Sequence, residues 1–560
     1  MKKLYLLIAL FVCIYSGASA AKDVRLSIVS IYTYQQDGTL LHSGRGFYVA
    51  ENGTAVAPYA LFNNAYRAEI VDAKGKKYAV RRIVGANSSL DIVKFSIEGA
   101  GKTDGLSLSS QGVASGTKVV LPNALKASTP TTTTTITTAS PFNDFLYYDL
   151  SLANSDNFVG LPLLNTAGEV VGIVQKNVGR EAQTACALDA RFFASLYIHS
   201  ISAIDQDLQN IHIQKALPEK EADAVAYLYL LNPADAELTL ATLNEFISIY
   251  PNNVEGYTNR ATYFSQHGIY DKAEADFSQA LSISRQDGAR IKADEVHYQY
   301  SKAVFNTVPQ DNTQSRWNLE RALDETRQAY ALNPNPVYQI QEGRCLYALQ
   351  RYGEAYEAYQ KVCNSPMASA ESFFDAAQAL EATHTDSLRV LELMDSCVAR
   401  IPKPYNAVSI QYVLAHARLA MGVGKYREAV NDLNEYEKTI GPSNLTASFY
   451  YDREQVEKSA RMYQQALNDI QFAQTIARSD DAFEYGVEEA LLLLQVGLYP
   501  EVIDKVSQLL SLRPEDADCH KIIGIAYGET KQKAKAAEHL NRAKNLGDAD
   551  ADTYLKRYKK

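Results

Sequence analysis

The chain has 560 residues, which is too long for a single hydrophobic core, so two or more domains are expected. Apolar residues make up 46% and charged residues 21%, the balance of an ordinary globular protein. The net charge of −10 argues against a nucleic-acid binder, because such proteins present basic surfaces to phosphates. Composition therefore indicates a globular protein of several domains.

Residues 1–20 have the pattern of a secretory signal peptide. Lys2 and Lys3 precede an apolar run that extends to Tyr15, and small residues follow, ending in an Ala-x-Ala pattern at Ala20. The run is too short to cross about 30 Å of hydrocarbon. We therefore expect cleavage after Ala20 and a secreted mature chain.

Residues 21–200 have the alternation and turn spacing of an all-β domain. Strands are predicted at 24–33, 46–50, 55–58, 68–72, 77–84, 92–97, 118–121, 131–138 and 170–175. The threonine run 131–135 can also be interpreted as a low-complexity linker, but the neighbouring Ile136 favours a strand. This spacing of short strands predicts a barrel or sandwich.

From residue 219 onward the apolar pattern becomes helical and repeats. Within a 34-residue unit, small and large apolar residues occupy fixed positions. The same pattern recurs four more times along the chain. Its members in the clearest unit are Tyr257, Ala261, Phe264, Gly268, Tyr270, Ala273, Phe277 and Ala280. The pattern resembles the tetratricopeptide repeat (TPR), which implies an all-α superhelical solenoid of paired helices.

About nine repeats are expected between residues 219 and 549. The stretch 201–218 is predicted to be a linker, either a connecting helix or a flexible segment. Residues 550–560 form a polar C-terminal tail that is typical of a solvated end of the array.

No sequence motif indicates a metal or cofactor site. The chain has no phosphate-binding Gly-x-x-x-x-Gly-Lys-Ser loop, no His-Glu-x-x-His helix and no acidic calcium loop. The five cysteines beyond residue 20 form no Cys-x-x-Cys pair, so they predict buried apolar side chains rather than ligands. We therefore predict no cofactor and no metal.

Five stretches of the first domain follow a recognisable order: 44–47, 57–60, 91–95, 157–163 and 168–173. In that order they resemble the trypsin-like serine proteases of the bacterial Deg type, along nearly all of residues 24–200. The resemblance implies a trypsin-like double barrel with a substrate cleft. It also implies where a catalytic triad would lie: Ala60 occupies the histidine position, Asp91 the aspartate position and Val159 the serine position.

Serine protease chemistry needs an alcohol activated by a general base, together with donors for the oxyanion. Ala60 has no proton acceptor and Val159 has no nucleophile, so catalytic residues are predicted to be absent. The first domain is accordingly predicted to be a pseudoprotease and not an enzyme. The alternative, a cryptic serine hydrolase with TPR-guided substrate selection, would need a displaced base and nucleophile, for which the candidates are His42, His199, Ser151 and Ser155.

The favoured function is a non-catalytic secreted scaffold or adaptor that binds protein or peptide partners through the TPR groove and the degenerate cleft. The first helix of each repeat lines the concave face in TPR proteins, and its polar residues are either partner contacts or ordinary solvated side chains. The candidate partner-binding residues are Asn259, Arg260, Gln341, Arg344, Gln411, His416, Lys521 and Tyr527.

The signal peptide and the Deg-type resemblance together indicate a bacterial protein that is secreted across the inner membrane. We expect it in the periplasm or associated with an outer-membrane complex, with release from the cell as the alternative. Its expected partners are proteins or peptides of the cell envelope, and nucleic acid is not expected. No transmembrane segment is predicted, because no later apolar run approaches about 18 residues.

Overall fold

The computed structural model describes residues 23–122, 131–178, 183–232, 235–308, 316–384 and 386–559. The predicted signal peptide, 1–20, lies outside the described residues. By their internal contacts the residues form two compact units, Met1–Val296 and His297–Lys560. The first holds all of the described strands and the beginning of the helical array, and the second holds only helices.

The first barrel is closed by six described strands in the order β1-β2-β3-β6-β5-β4, all paired antiparallel. The strands are β1 (Ile28–Tyr34), β2 (Leu40–Tyr48), β3 (Thr54–Ala57), β4 (Arg67–Val71), β5 (Lys77–Asn87) and β6 (Ile92–Ile97). Alternate side chains such as Val29 and Ile31 point inward and are fully buried, as the period of a strand requires. Closure leaves no free sheet edge in this barrel.

The second barrel is closed by six described strands in the order β10-β11-β12-β9-β8-β7. The strands are β7 (Lys118–Pro122), β8 (Thr131–Phe142), β9 (Phe145–Ala153), β10 (Pro162–Leu164), β11 (Val170–Gln175) and β12 (Thr184–Asp189). The threonine run is part of β8, where Ile136 is fully buried, so the strand interpretation is confirmed. The predicted double barrel is therefore correct.

Three strands were not predicted from the sequence, namely β9, β10 and β12. Strand β10 has only three residues, and β12 contains two alanines and a cysteine, which carry little strand signal. The prediction for 24–33 was also partly wrong, because Val24–Ser27 is a turn of 3-10 helix that precedes β1. Tertiary pairing stabilises β10 and β12 more than their local propensity does, whereas β9 has the aromatic residues and alternately buried side chains that are typical of a strand.

The predicted linker, 201–218, packs against the first barrel. It follows helix α1 (Arg191–Ser195) and contains α2 (Gln206–Gln209). Leu208, Ile211 and Ile213 are buried in the same apolar core as the strands of that barrel. Burying these apolar side chains stabilises the segment against the first barrel.

The remaining described residues form consecutive helices, and within each unit most of them pack on the next helix in the chain. They are α3 (Glu221–Tyr229), α4 (Ala236–Ile249), α5 (Val254–Gln266), α6 (Tyr270–Ser284), α7 (Ala293–Thr307), α8 (Leu319–Leu332), α9 (Pro336–Ala348), α10 (Tyr352–Cys363), α11 (Ala370–Glu381), α12 (Ser387–Val398), α13 (Ile410–Gly422), α14 (Tyr426–Ile440), α15 (Ala447–Ser459), α16 (Tyr463–Ile476), α17 (Ser479–Gln495), α18 (Tyr499–Leu512), α19 (Ala517–Glu529), α20 (Lys533–Asn545) and α21 (Ala551–Lys559). The predicted all-α solenoid is therefore confirmed as a helical-repeat array.

A turn residue with positive φ lies between the helices of seven described pairs, and in six of them the next N–H donates to the carbonyl five residues earlier. One residue after each first helix has a positive φ, between 56° and 83°. In the α5–α6 turn this residue is Gly268, and the following N–H, of Ile269, donates to the carbonyl of Phe264. The other left-handed turn residues are Gln350, His384, Gly424, Arg461, Gly497 and Lys531. These hydrogen bonds satisfy carbonyl groups at the end of the first helix, and the turn directs the second helix to pack against the first.

Among the described residues, no helix is both long and apolar enough to cross a membrane. The five cysteines beyond residue 20 are buried and form no disulfide. Each of the small residues Ala261, Ala273 and Ala280 is fully buried, so neighbouring helices approach closely at these points.

Candidate functional site

Ala60 lies beside Asp91, as the alignment of the sequence with trypsin-like proteases implies. Ala60 belongs to a short 3-10 turn, Tyr59–Leu61, that follows β3. Its backbone N–H donates to Oδ1 of Asp91 at 2.8 Å. The turn is anchored because the Tyr59 hydroxyl donates to the carbonyl of Asp207 at 3.0 Å. The carboxylate of Asp91 therefore contacts a backbone amide at the place where a base would lie.

Asp91 is held by both barrels. It occupies the turn between β5 and β6 with a φ of 43°, and the side-chain amide of Gln175 on β11 donates to its carbonyl at 3.1 Å. Burial raises the pKa of the Asp91 carboxyl, and hydrogen bonds from the backbone of Ala60 and Tyr59 oppose that rise. Among the described residues, the contacts that stabilise the charged form of this carboxyl are hydrogen bonds from backbone N–H groups.

The loop that carries Val159 joins β9 to β10 and lies against the first barrel. Gly160 has a φ of 80°, and a Cβ added there would lie 2.2 Å from the carbonyl oxygen of Arg45 and 3.4 Å from Pro58. The guanidinium of Arg45 donates to the carbonyl of Asn157 at 2.8 Å. The loop therefore passes beside the Pro58 end of the Ala60 turn, which brings the Val159 loop close to the turn that contacts Asp91.

The displaced residues that a cryptic hydrolase would need have other contacts. His42 is exposed on β2, and the ring of His199 lies 4.0 Å from the ring of Tyr197. Ser151 is exposed on β9, while Ser155 Oγ accepts a hydrogen bond from the backbone of Asn157. In the part of the chain that the structure describes, no hydrogen bond joins either histidine ring to either hydroxyl.

Two predicted partner-binding residues lie on α5. The amide of Asn259 donates to the carbonyl of Glu255 in its own helix at 2.8 Å. Arg260 forms a two-pronged ion pair with Asp276 of α6 at 2.8 Å and also donates to Asn244 of α4. Because this guanidinium joins three helices, its contacts are those of a packing residue.

On α9, the two predicted residues differ in exposure. Gln341 is 4% exposed, and its amide lies 3.4 Å from the hydroxyl of Ser301. Arg344 is exposed, pairs with Glu371 at 3.1 Å and lines a cavity. Within the second unit, Arg344 is therefore open to a partner and Gln341 is not.

The remaining predicted residues lie on α13 and α19. Gln411 is exposed at the start of α13, whereas the His416 ring is buried between two carboxylates. Lys521 pairs with Asp518 at 2.8 Å and with Asp548 at 2.6 Å, and these two carboxylates raise its pKa against the effect of burial. Tyr527 stacks on the ring of His539. As partner contacts, all of these residues stay predictions.

Two adjoining cavities in the second unit are lined mainly by the first helices of successive pairs. Each has a volume of about 210 Å³, and Gln378 lines both. The first is lined by Phe305, Arg344, Tyr347, Ala348, Tyr359, Asp375 and Gln378. Burial raises the pKa of Asp375 in this cavity to about 6. Apart from Arg344, sequence reasoning missed these residues, because aromatic residues at helical spacing are equally typical of packing.

A larger cavity, of about 520 Å³, lies between the first barrel and the first helices of the array within the first unit. Its wall includes Tyr66, His212, Lys215 and Tyr227. Burial lowers the pKa of the Lys215 ammonium to about 8. The sequence did not indicate this cavity, because its residues come from the barrel and from the predicted linker.

No protein-family model matches the chain, and no curated protein matches it. Among solved structures, the chain is similar to Rv3671c from M. tuberculosis H37Rv, crystallised as a serine-to-alanine mutant in an inactive form. That likeness has 18% sequence identity and a TM-score of 0.26, and it covers 31% of this chain and 85% of the other. At these values the likeness carries no argument about function. The fold is therefore assigned from the topology of the chain itself, a trypsin-like double barrel followed by a helical solenoid.

Proposed function

We propose that the chain is a non-catalytic secreted scaffold that binds protein or peptide partners, with a pseudoprotease as its first domain and a TPR array as its second. The observation that carries this proposal is the contact between the Asp91 carboxylate and the backbone N–H of Ala60. A triad aspartate orients an imidazole, and here the adjoining side chain is a methyl group. Val159 likewise offers no nucleophile on the loop beside it.

The two adjoining cavities of the second unit support the binding half of the proposal. Phe305, Tyr347 and Arg344 are of the residue types that anchor peptide partners, because they bury a large area or pair with a carboxylate. They lie on the first helices of consecutive pairs, which are the groove-lining helices in TPR proteins. We infer that an extended segment with an apolar and an acidic side chain occupies them, and that Arg344 then exchanges Glu371 for the ligand.

The proposal includes location and partner class. The signal-peptide pattern favours secretion across the inner membrane, and the partners are then proteins or peptides of the bacterial cell envelope, in the periplasm or at the outer membrane. In this setting we infer that the double barrel is a binding module without the reactive groups of a protease.

The first experiment tests for hydrolase chemistry. The mature chain is treated with a fluorophosphonate beside an active trypsin-like protease as the positive control. We expect no covalent labelling, because no described histidine ring contacts a candidate hydroxyl. Labelling that disappears in Ser151→Ala or Ser155→Ala would replace the scaffold by a cryptic serine hydrolase.

The second experiment tests the groove. The mature chain and the variant R344A/Y347A are used to capture partners from the cell envelope, with R389A, an exposed arginine on α12, as the control. The double variant is expected to lose the captured partners by at least about 10-fold, the loss of one anchoring contact. Equal capture by all three proteins would show that partners bind elsewhere, and it would contradict the proposal that they bind the cavities beside Arg344.

A further inference from the structure

Side chains from three helices of the second unit meet around the His416 ring. Nδ1 of His416, on α13, lies 2.5 Å from Oδ2 of Asp432 on α14. Nε2 lies 2.8 Å from Oδ1 of Asp395 on α12. The carboxylate of Glu428, one helical turn before Asp432, faces the same point, and one ligand atom each of Asp395, His416 and Glu428 lies within 4.8 Å of the other two. The ring itself is 6% exposed.

The contact between Nδ1 of His416 and the Asp432 carboxylate is of the kind found at metal-bound histidines. Metal-ligating histidines almost always give their second ring N–H to a carboxylate or carbonyl, which fixes the tautomer and aims the other nitrogen at the metal. The carboxylate of Asp432 is 16% exposed and takes this place on Nδ1. Nε2 then faces Asp395 and Glu428, the side of the cluster that is open to solvent.

We propose that Nε2 of His416 and the carboxylates of Asp395 and Glu428 bind a divalent transition-metal ion, Zn²⁺ by ligand type, with Asp432 orienting the imidazole. One imidazole and two carboxylates suit zinc better than calcium or magnesium, which prefer oxygen ligands alone. Three protein ligands leave a fourth tetrahedral position for water.

The ligands can reach the required geometry by rotating exposed side chains. Zinc bonds of about 2.1 Å in a tetrahedron place ligand atoms about 3.4 Å apart. The side chains of Asp395 and Glu428 are 50% and 47% exposed, so both are able to turn toward a common centre while the buried ring stays fixed. Glu428 is paired with Lys425 at 3.1 Å, and an exposed pair of this kind contributes at most about 1 kcal/mol.

A second buried histidine in the same unit lacks these features. Nδ1 of His297 lies 2.5 Å from Oε2 of Glu325, and the other oxygen of Glu325 is 3.0 Å from the guanidinium of Arg321. In the described residues, His297 belongs to no group of three ligands that would hold an ion, which makes it the matched control.

A metal at this place would join α12 to the following pair, α13 and α14. Since an ion that binds only the folded chain stabilises it by mass action, binding would raise the unfolding temperature of the helical array. The inference is independent of the proposed scaffold function, because it concerns neither the barrel cleft nor the cavity beside Arg344.

The test uses the mature, full-length chain, metal-stripped and titrated with Zn²⁺ by calorimetry and with Co²⁺ by absorption. We expect one ion per chain and a higher unfolding temperature with Zn²⁺. D395N and E428Q change exposed carboxylates, so they keep the fold, and each should weaken Zn²⁺ binding by at least about 10-fold. H297Q should leave the affinity for Zn²⁺ unchanged.

Two results would overturn the proposal. The first is Zn²⁺ affinity that is the same in the native chain, D395N and E428Q. The second is a sulfur-to-cobalt charge-transfer band, which would assign the bound ion to one of the cysteines rather than to His416. The circular dichroism of each variant, recorded before titration, distinguishes loss of the site from loss of the fold.

Discussion

At the scale of single residues, burial changes the ionisation of a carboxyl group on α15, that of Glu457. Glu457 is 2% exposed, and its Oε2 has no hydrogen-bond partner among the residues that the structure describes. Burial, together with the nearby Asp469 carboxylate, raises the pKa of Glu457 to about 8. Arg453 opposes that rise but is already paired with Asp469 at 2.6 Å. Glu457 is therefore a neutral carboxylic acid in the folded protein below about pH 8.

This burial predicts a pH-dependent stability. The folded pKa lies above the unfolded value of 4.5, so the contribution of Glu457 is fully present below pH 4.5 and is lost as the pH rises through 8. Glu457→Gln keeps the neutral shape, and we expect it to be more stable than the native chain by about 1–3 kcal/mol above pH 8, with little difference at pH 4.5.

The measurement is urea unfolding followed by far-ultraviolet circular dichroism across this pH range. Glu538→Gln, at an exposed position on α20, is the matched control and should show no such gain. Equal pH profiles for Glu457→Gln and the native chain would show that Glu457 ionises in the fold as freely as it does in water.

At the scale of elements, the turn between paired helices is the most regular feature of the array. At Gly497 the φ is 83°, and the next N–H, of Leu498, donates to the carbonyl of Leu493 at 2.9 Å. The same bond follows Arg461, where the donor is Met462. Glycine adopts this backbone without a steric cost, whereas arginine does not. The backbone therefore adopts the same turn at Arg461 as at Gly497, although arginine does not favour a positive φ.

We predict that Gly497→Ala lowers the stability of the array by about 1 kcal/mol, because alanine at positive φ is strained. The control is Gly353→Ala, at an exposed glycine near the start of α10 that has no positive φ and open space for a Cβ. This second change should stabilise the chain, by up to about 1 kcal/mol. Thermal unfolding of both variants is the measurement, and shifts of equal sign would contradict the turn argument.

At the scale of the whole molecule, the first unit combines the barrel with the first helices of the array. The guanidinium of Arg82 on β5 forms an ion pair with Glu245 of α4, whose side chain is 9% exposed. The amide of Gln214, from the predicted linker, donates to the same carboxylate at 2.6 Å. Burial raises the pKa of Glu245, and Arg82 opposes that rise. Strand, linker and helix therefore share one buried polar contact.

Removing the carboxylate should loosen this junction. Glu245→Ala leaves the Arg82 guanidinium partly buried without its partner, and we expect a destabilisation of about 3 kcal/mol. Limited proteolysis should then cut within residues 201–218 faster than in the native chain, where Leu208, Ile211 and Ile213 are buried. Glu237→Ala, which removes an exposed carboxylate in the first turn of the same helix, should cost less than about 1 kcal/mol. Equal protease resistance in both variants would contradict a shared junction.

The sequence alone determined those features that depend on local pattern. The alternation before residue 200 and the helical repeat after residue 219 predicted the two fold classes, because side-chain period is a local property of strand and helix. The resemblance of five stretches to trypsin-like proteases also implied that Ala60 lies close to Asp91, and a hydrogen bond joins these residues. Strand β12 was missed because its alanines and cysteine carry little strand signal, whereas β9 has the pattern of a strand, with Tyr148, Leu150 and Leu152 buried in alternation.

Only the tertiary structure decided which polar residues are available to a ligand. Arg260 and Gln341 occupy predicted groove positions, yet one is joined to Asp276 and the other is buried. The cluster at His416 includes Asp395 and Glu428, which lie 21 and 12 positions from His416 along the chain, so no short sequence motif predicts it. Burial and long-range contact depend on how helices pack against each other, and that packing is not encoded in the period of any single helix.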